Sequence, residues 1–314
     1  MTITVKITEK TKEMMIDFYK DHLRPKTPQY AVFQAEDGDT VLTLYESGKA
    51  VFQGKDADLA SEYWIETEKI NAGVVHYTNS DENKKDKKEI KRDYKLYNAS
   101  TVGSDEVGTG DYFGPIVVTA CYVNKSNIPF LEELGVRDSK KLTDEKILEI
   151  VPQIIKVIPY NTVILSNTEY NERYSSNINM NAIKAIMHNK VLNNITKENP
   201  DYEYAVVDQF TYPNAYFSYL KTNPCIFRNV TFLTKAEDQV LSVACASVIS
   251  RYVFLKEMGK ICKEVGCLIP KGASTAVDEC GLKIVQEHGF DKLKEIAKLN
   301  FKNTDKIKAL MKEA

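Results

Sequence analysis

The sequence predicts two domains, a small α+β domain followed by a larger α/β domain. Three observations lead to this prediction. The chain of 314 residues is long enough for two domains of ordinary size. A stretch from Thr78 to Lys95 has little apolar content and many charges, as expected at a domain boundary. Apolar periodicity gives the order strand, helix, three strands, helix before this stretch, and a mixture of strands and long helices after it.

The composition is that of a globular protein, with 43% hydrophobic and 27% charged residues. We expect a cytoplasmic protein, because no apolar segment reaches spanning length and the first residues lack a signal-peptide pattern. The six cysteines are scattered along the chain, which favours reduced thiols over a disulfide framework. A formal net charge of −2 does not indicate nucleic-acid binding, so such a function would depend on local basic patches.

The first domain is predicted from alternation and turn signals. Apolar residues alternate with polar ones from Ile3 to Ile7, as a half-buried strand requires, and helical periodicity follows from Glu9 to Leu23. The range 30–53 contains three strands joined by glycine-containing turns, and Asp56 can cap a second helix. Helices on one face of such a sheet would leave its other face free to bind something flat.

The boundaries we predict are 1–75 for the first domain, 76–98 for a charged linker and 99–314 for the second domain. Within the linker, the segment from Lys84 to Lys95 holds seven basic and three acidic residues, a local charge of +4. This segment could be a nucleic-acid-binding patch, although a solvated linker is the simpler interpretation.

The second domain is predicted to alternate strands and helices. Thr143 precedes two acids and is a good helix start. The predicted strands are 100–106, 114–123, 162–166 and 204–207. The predicted long helices are 177–195, 236–259 and 278–288.

The most informative segment of the chain is the run from Gly103 to Val118. Its adjacent acids Asp105 and Glu106 lead into Gly108 and Gly110. Successive side chains of a strand alternate, so these two acids can converge on a metal only near a strand end. Glycines permit the necessary turn and let a substrate backbone approach closely. This pattern indicates metal-dependent phosphodiester chemistry, whereas the acid pair alone would equally suit an exposed loop start.

Two further acids could complete the site. Asp208 closes an apolar strand, where ligands bind in open α/β sheets, although it could also be a turn residue. Asp238 is predicted in the first turn of a helix whose small centre, Ala244–Ser247, would pack closely on the sheet, although it could simply complement the helix dipole. Its neighbour Glu237 lies about 100° around the helix, and we expect it to point elsewhere. Such acids without histidine or cysteine favour Mg²⁺ or Mn²⁺ and two-metal phosphoryl chemistry.

The run from Asp105 to Pro115 resembles the opening motif of the ribonuclease HIII family, a bacterial branch of the type-2 ribonucleases H. Ribonuclease HII usually has arginine between the two glycines, where this chain has Thr109. The first seventy-odd residues resemble the TATA-binding-protein-like domain that distinguishes ribonuclease HIII from ribonuclease HII. Motif-level similarity covers 99–304. The other similar motifs are Asp138–Leu142, Asp208–Phe210, Thr234–Asp238, Ala244–Arg251 and Leu268–Gly272.

The resemblance implies a ribonuclease H-like catalytic domain at 99–314, with a mixed sheet flanked by helices, preceded by a TATA-binding-protein-like substrate-docking domain at 1–75. The residues implied to bind metal and to act in catalysis are Asp105, Glu106, Asp208 and Asp238. The residues implied to approach the ribose 2′-hydroxyls are Gly108, Thr109 and Gly110. The residues implied to contact backbone phosphates are Ser139, Lys140 and Lys235.

The activity implied by the resemblance is hydrolysis of the RNA strand of RNA/DNA hybrids, leaving 5′-phosphate and 3′-hydroxyl ends. The implied enzyme uses two ions of Mg²⁺ or Mn²⁺ and is monomeric. Two alternatives remain open: a DNA-directed nuclease of the same fold, and a catalytically inactive nucleic-acid-binding adaptor.

A few polar residues are interpreted more weakly. Asn300 departs from the family pattern, in which histidine is expected. His188 is interpreted as a satisfied residue on a helix face rather than as a ligand. The residues that resemble substrate-side loop positions are Tyr170, Asn171, Asn179 and Asn181.

Overall fold

The computed structural model describes residues 2–73, 75–79, 94–175 and 178–313. The strands are β1 Thr2–Lys6, β2 Ala31–Asp37, β3 Thr40–Tyr45, β4 Lys49–Gly54, β5 His76–Asn79, β6 Thr101–Val107, β7 Ile116–Val123, β8 Tyr160–Leu165, β9 Tyr204–Asp208 and β10 Thr231–Leu233. The helices are α1 Glu9–Tyr19, α2 Ala57–Ala72, α3 Tyr94–Tyr97, α4 Ile128–Glu133, α5 Asp144–Ile154, α6 Asn167–Arg173, α7 Met180–Glu198, α8 Pro213–Tyr219, α9 Leu241–Val265, α10 Thr275–His288, α11 Phe290–Ile296 and α12 Lys302–Glu313.

The chain forms two compact units. The first unit contains residues 1–91 together with 210–218, and the second contains 92–209 and 219–314. Within the first unit, Tyr212 donates from Oη to Thr40 Oγ1 at 2.6 Å, which ties the segment 210–218 to β3. The composition around residue 210 gives no signal that this segment belongs to the first unit. The basic segment from Lys84 to Lys95 lies almost entirely outside the described residues, so its role stays a prediction.

The first unit contains an antiparallel sheet in the order β2-β3-β4-β1-β5. Helix α2 packs on the face of this sheet that carries the apolar side chains of the strands. Val5, Leu44 and Phe52 are buried on this face, and Trp64 of α2 is also buried. The predicted order of strands and helices is confirmed. The additional strand β5 pairs with β1 although it falls in the range predicted as linker. Its four residues are too few to show a period against the charged sequence that follows.

Two details of the first unit differ from the predictions. Helix α1 ends at Tyr19 rather than Leu23. Asp56 occupies the N-cap position of α2, but its side chain makes no capping hydrogen bond, and its backbone carbonyl accepts from the Ala60 N–H instead.

The second unit is a mixed sheet in the order β10-β9-β6-β7-β8. Strands β6, β7 and β8 pair antiparallel, whereas β6, β9 and β10 pair parallel. Helix α9 packs on β6 and β7, and α7 packs on the same strands. A Cβ atom at Gly103 of β6 would lie 2.4 Å from the Val243 nitrogen of α9, so glycine permits this close contact. The predicted mixed sheet flanked by helices is confirmed.

The helix predicted at 236–259 is divided in the structure. Ala236–Asp238 form a 3-10 turn, and α9 begins only at Leu241. The prediction that Asp238 lies in the first turn of the long helix is therefore wrong. Lys235 adopts a left-handed conformation with φ of 54°, which separates β10 from this turn. Elsewhere the predicted helix start is confirmed, since Thr143 caps α5 by accepting from the Lys146 N–H at 3.3 Å.

Among the described residues, no helix combines the length and apolar character needed to cross a membrane.

Candidate active site

The adjacent acids Asp105 and Glu106 lie near the end of β6 and follow its regular alternation. The parallel pairing of β6 with β9 ends at Ser104 opposite Val207, so both acids extend beyond that pairing, towards the end of β9 at Asp208. The Asp105 carboxylate accepts a hydrogen bond from Ser247 of α9. Glu106 instead contacts α7. Each acid is therefore placed by a different helix.

Glu106 is held by two side chains of α7. Lys184 Nζ lies 2.6 Å from Glu106 Oε1, and His188 Nε2 lies 2.9 Å from Glu106 Oε2. Only 13% of the Glu106 side chain is exposed. Burial acts to raise the pKa of Glu106, but the Lys184 charge and the His188 hydrogen bond outweigh it and lower the pKa to about 2. Glu106 is thus kept as a carboxylate throughout the neutral range.

Asp105 has the opposite character. Burial and then the neighbouring Glu106 charge raise the pKa of Asp105 to about 8, although the Ser247 hydrogen bond acts in the other direction. The Glu106 N–H also donates to Asp105 Oδ1 at 2.8 Å. Asp208 contributes a smaller repulsion. A divalent cation near these carboxylates would remove this repulsion.

Asp208 closes β9, as the sequence predicted. Its Oδ1 accepts from the Ala236 N–H at 2.8 Å, which fixes the 3-10 turn against the strand end. Burial, followed by the charges of Glu237 and Glu106, raises the pKa of Asp208 to about 6. Asp208 is therefore close enough to both glutamates to be repelled by them.

Asp238 and Glu237 share one lysine. Lys140 Nζ lies 3.4 Å from Asp238 Oδ2 and also forms an ion pair with Glu237. The expectation that Glu237 points away from the site was wrong, because its side chain is only 12% exposed and its charge acts on Asp208. The 3-10 turn places the two acids differently from the α-helical geometry on which that expectation was based. The Asp238 side chain is the more open of the two, with 38% exposed.

The acidic cluster fits hard divalent cations by its chemistry. The candidate ligands are all carboxylate oxygens, the donors that Mg²⁺ and Mn²⁺ prefer. Their raised pKa values at Asp105 and Asp208 reflect burial and the charge of neighbouring acids, and nearby cationic side chains offset that charge in part. In the described part of the chain, no three His, Cys, Asp or Glu side chains already surround one metal-sized point.

The glycine loop after β6 combines one constrained and one open position. Gly108 has φ of 91°, and a Cβ there would lie 2.1 Å from the Pro115 carbonyl oxygen. A Cβ at Gly110 would have no other atom within 4 Å. Glycine at 108 is therefore explained by the turn itself, whereas the space over Gly110 is free for another molecule.

A buried lysine, which was not among the residues predicted from the sequence, also holds this loop. Lys298 is fully buried, and its Nζ donates to the carbonyls of Asp111 at 2.8 Å and Gly114 at 2.5 Å. Burial lowers the pKa of Lys298 to about 7. The Gly272 N–H donates to Asp111 Oδ1 at 2.6 Å, which anchors the loop from a second side.

Comparison with known proteins identifies the family of this chain. The ribonuclease HII family model matches residues 102–304, and a domain of unknown function, DUF3378, matches residues 2–73. Ribonuclease HIII of Bacillus licheniformis is 39% identical over 312 residues, covering 98% of this chain and 97% of that protein. The chain belongs to the ribonuclease HIII family. This confirms the predicted family and makes the chain an endoribonuclease.

Solved structures agree with this membership. The crystal structure described as Bst-RNase HIII in complex with Mn²⁺ matches with a TM-score of 0.70 and 37% identity, over 100% of both chains. The structure of Aquifex aeolicus RNase H3 matches with a TM-score of 0.53 and 22% identity, over 95% of this chain and 99% of that chain. The second similarity supports the fold alone.

The three residues predicted to contact phosphate in this ribonuclease HIII family member lie near the acids but differ in exposure and in their partners. Ser139 is buried in the 3-10 turn Val136–Lys141, while Lys140 of the same turn is paired with the acids of the 236–238 turn. Lys235 is exposed and directly precedes that second turn. The two turns thus place basic and acidic side chains along one stretch of surface.

The interpretation of Tyr170 and Asn171 as loop residues is wrong, because both lie in α6. Tyr170 is buried and donates to Asn300 Oδ1 at 3.0 Å, which gives Asn300 a structural partner. Asn171 donates to the Ala297 carbonyl at 2.9 Å. Asn179 caps α7 by accepting from the Ala182 N–H, and Asn181 is buried within that helix. These side chains hold helix ends and the segment around residue 300 in place.

The sequence analysis missed Lys184 as a site residue. It also interpreted His188 as satisfied, which is confirmed, without finding that its partner is Glu106. The available signal was the spacing of four residues between Lys184 and His188, which places both side chains on one face of α7.

Proposed function

We propose that this ribonuclease HIII family member is an endonuclease that hydrolyses the RNA strand of RNA/DNA hybrids and leaves 5′-phosphate and 3′-hydroxyl ends. The observation that carries the proposal is the acidic cluster at the ends of β6 and β9, beside a glycine loop with open space over Gly110. Metal ligands and a site of close backbone approach are both needed to cleave a ribose-containing strand.

The metal ions in this proposal are Mg²⁺ or Mn²⁺, held by Asp105, Glu106, Asp208 and Asp238. The Mn²⁺ complex of the Bst-RNase HIII relative supports this choice. When bound, two such ions supply an activated water and charge neutralisation at the scissile phosphate. Glu106 enters the site already ionised, because its pKa is lowered to about 2. Burial and then neighbouring glutamates raise the pKa of Asp105 to about 8 and that of Asp208 to about 6, and a bound cation would favour the ionised form of both.

Recognition of the ribose falls to the glycine loop. Gly108, Thr109 and Gly110 approach the 2′-hydroxyls, which distinguish RNA from DNA. Lys298 and the Gly272 N–H support this role, since they hold the loop in one shape before substrate arrives. Pre-arranged backbone groups discriminate better than groups that must be ordered on binding.

Contacts with the phosphate backbone involve Ser139, Lys140 and Lys235. Lys140, which pairs with Glu237 and Asp238, would contact a backbone phosphate beside these acids. Lys235 is exposed and directly precedes the 3-10 turn Ala236–Asp238, where it would contact a second phosphate. These contacts position the hybrid without selecting a base sequence.

The N-terminal unit docks the hybrid through the sheet face opposite α2. Lys6 and Lys49 are directly opposite each other on β1 and β4, and both are exposed. Gln53 of β4 is also exposed, and the three side chains together give this face hydrogen-bond donors and positive charge. Such local contacts would provide affinity for the hybrid that the net charge of the whole chain does not provide.

The enzyme acts as a monomer in the cytoplasm. The six cysteines are free thiols, which suits a reducing compartment.

Cleavage of three labelled duplexes tests the proposal: an RNA/DNA hybrid, duplex DNA with one embedded ribonucleotide, and duplex DNA. Each is incubated with Mg²⁺, Mn²⁺ or EDTA. We expect metal-dependent cleavage of the hybrid, with 3′-hydroxyl ends, and no cleavage of duplex DNA. Cleavage of duplex DNA would instead support a DNA-directed nuclease. Binding of the hybrid without cleavage under either metal would support an inactive adaptor.

A further inference from the structure

A chain of buried hydrogen bonds runs from Glu106 through His188 to Ser104. Ser104 Oγ and His188 Nδ1 are 2.8 Å apart, and His188 Nε2 and Glu106 Oε2 are 2.9 Å apart. Ser104 and His188 are both completely buried. A carboxylate can only accept, so His188 donates through Nε2, while its other ring nitrogen pairs with the serine hydroxyl.

The arrangement follows from the geometry of β6 and α7. Ser104 and Glu106 are two residues apart on one strand and face the same side of the sheet. The His188 ring from α7 spans the gap between them and contacts both. The imidazole is therefore fixed at both nitrogens, and it fixes in turn the Glu106 oxygen that it contacts.

We propose that His188, anchored by Ser104, is a positioning residue that holds the Glu106 carboxylate in place for divalent-ion binding. The inference rests on the proposed metal-binding role of Glu106. It assigns His188 no direct contact with metal or substrate.

Glu106 needs such support because its flexible side chain must present particular lone pairs to an ion. Lys184 contacts Oε1 and His188 contacts Oε2, so each oxygen has one donor from α7. A carboxylate has about four lone-pair sites, which leaves further sites for a cation. Partners that orient metal-bound carboxylates typically change metal affinity by about 10- to 100-fold when they are removed.

A purely structural role would look different. An imidazole that served packing alone would not need an acceptor in the acidic cluster, whereas His188 donates to Glu106 there. The neighbouring Asn189 offers a direct contrast on the same helix: it is also buried, donates to the Cys225 carbonyl at 2.8 Å and accepts from the Phe227 N–H at 2.8 Å. These two hydrogen bonds of Asn189 stabilise the fold and do not involve the acidic cluster.

The test is calorimetric titration of Mn²⁺ into the full chain without substrate, with folding checked by circular dichroism. We expect His188→Leu to weaken Mn²⁺ binding by about 10- to 100-fold. His188→Gln retains a donor towards Glu106 and should recover part of the loss, and Ser104→Ala should give a smaller loss. Asn189→Ala is the matched control, with lower thermal stability but unchanged Mn²⁺ affinity. In a Glu106→Gln background, His188→Leu should cause no further loss.

The outcomes separate this inference from the proposed function. Wild-type protein that binds no Mn²⁺ would overturn the proposed function and this inference together. Wild-type protein that binds Mn²⁺ while folded His188→Leu binds it equally well would overturn only the positioning role. If His188→Leu does not fold, unchanged affinity in both Ser104→Ala and His188→Gln would refute it. An equal loss in Asn189→Ala would show a general effect of stability and would also count against it.

Discussion

Replacing Asp105 by asparagine should stabilise the metal-free protein while abolishing cleavage. The wild-type carboxyl has its pKa raised from 3.8 to about 8, chiefly by burial and then by the Glu106 charge. A pKa that is higher in the folded than in the unfolded state lowers stability as pH rises between those two values. Below the unfolded value both states are protonated, and Asp105 then carries no penalty.

The size of this stability penalty follows from the difference between the pH of the experiment and the pKa of Asp105 in the unfolded state. At about 1.36 kcal/mol per pKa unit, the penalty is on the order of 4 kcal/mol at pH 7 and becomes smaller as pH falls towards the unfolded value. Asparagine has nearly the same shape and stays neutral, so it avoids the penalty. It also keeps an oxygen to accept the hydrogen bond from the Glu106 N–H.

The assay is urea unfolding in EDTA from pH 5 to pH 8 for wild type and Asp105→Asn. We expect the variant to be more stable, by a margin that grows with pH. Added Mn²⁺ should narrow the difference, because it stabilises mainly the wild type. Asp238→Asn is the matched control and should gain little, since its side chain is 38% exposed. A variant no more stable than wild type, or a gain that does not change with pH, would refute the reasoning.

Three further predictions concern other parts of the molecule. Lys184→Met should destabilise the metal-free protein by about 3 kcal/mol at pH 7, because it leaves the buried Glu106 carboxylate with His188 but without its lysine partner. Since the pKa of Glu106 is lowered to about 2, the difference in urea-unfolding free energy should shrink as pH falls below the unfolded value of 4.5. Gly110→Ala should leave the melting temperature unchanged but reduce hybrid cleavage, whereas Gly108→Ala should lower the melting temperature, as scanning calorimetry can show; equal effects on stability would contradict the loop geometry. The double variant Lys6→Ala, Lys49→Ala should raise KM for the hybrid with kcat nearly unchanged in steady-state assays, and an unchanged KM would argue against docking by that sheet face.

The sequence alone could predict features that depend on local periodicity. The predicted strand 100–106 placed Asp105 and Glu106 at a strand end, and the apolar run before Asp208 placed that acid at another. Small residues in α9 predicted its close packing, which the space at Gly103 allows. In each case the pattern that forms the element also places the residue within it, so the inference needs no knowledge of distant contacts.

The tertiary structure decided which elements supply the partners of those residues. His188 is 82 positions from Glu106, and Lys298 is 187 positions from Asp111, yet each pair is in hydrogen-bond contact. Periodicity determines which face a side chain occupies, but it does not say which helix covers that face. For the same reason, the direction of a pKa shift at a buried acid cannot be derived locally, because it depends on the charges that packing brings beside it. The sequence by itself therefore determined the candidate acids and their strand ends, whereas only the fold decided that Glu106 contacts Lys184 and His188 while Asp105 accepts from Ser247.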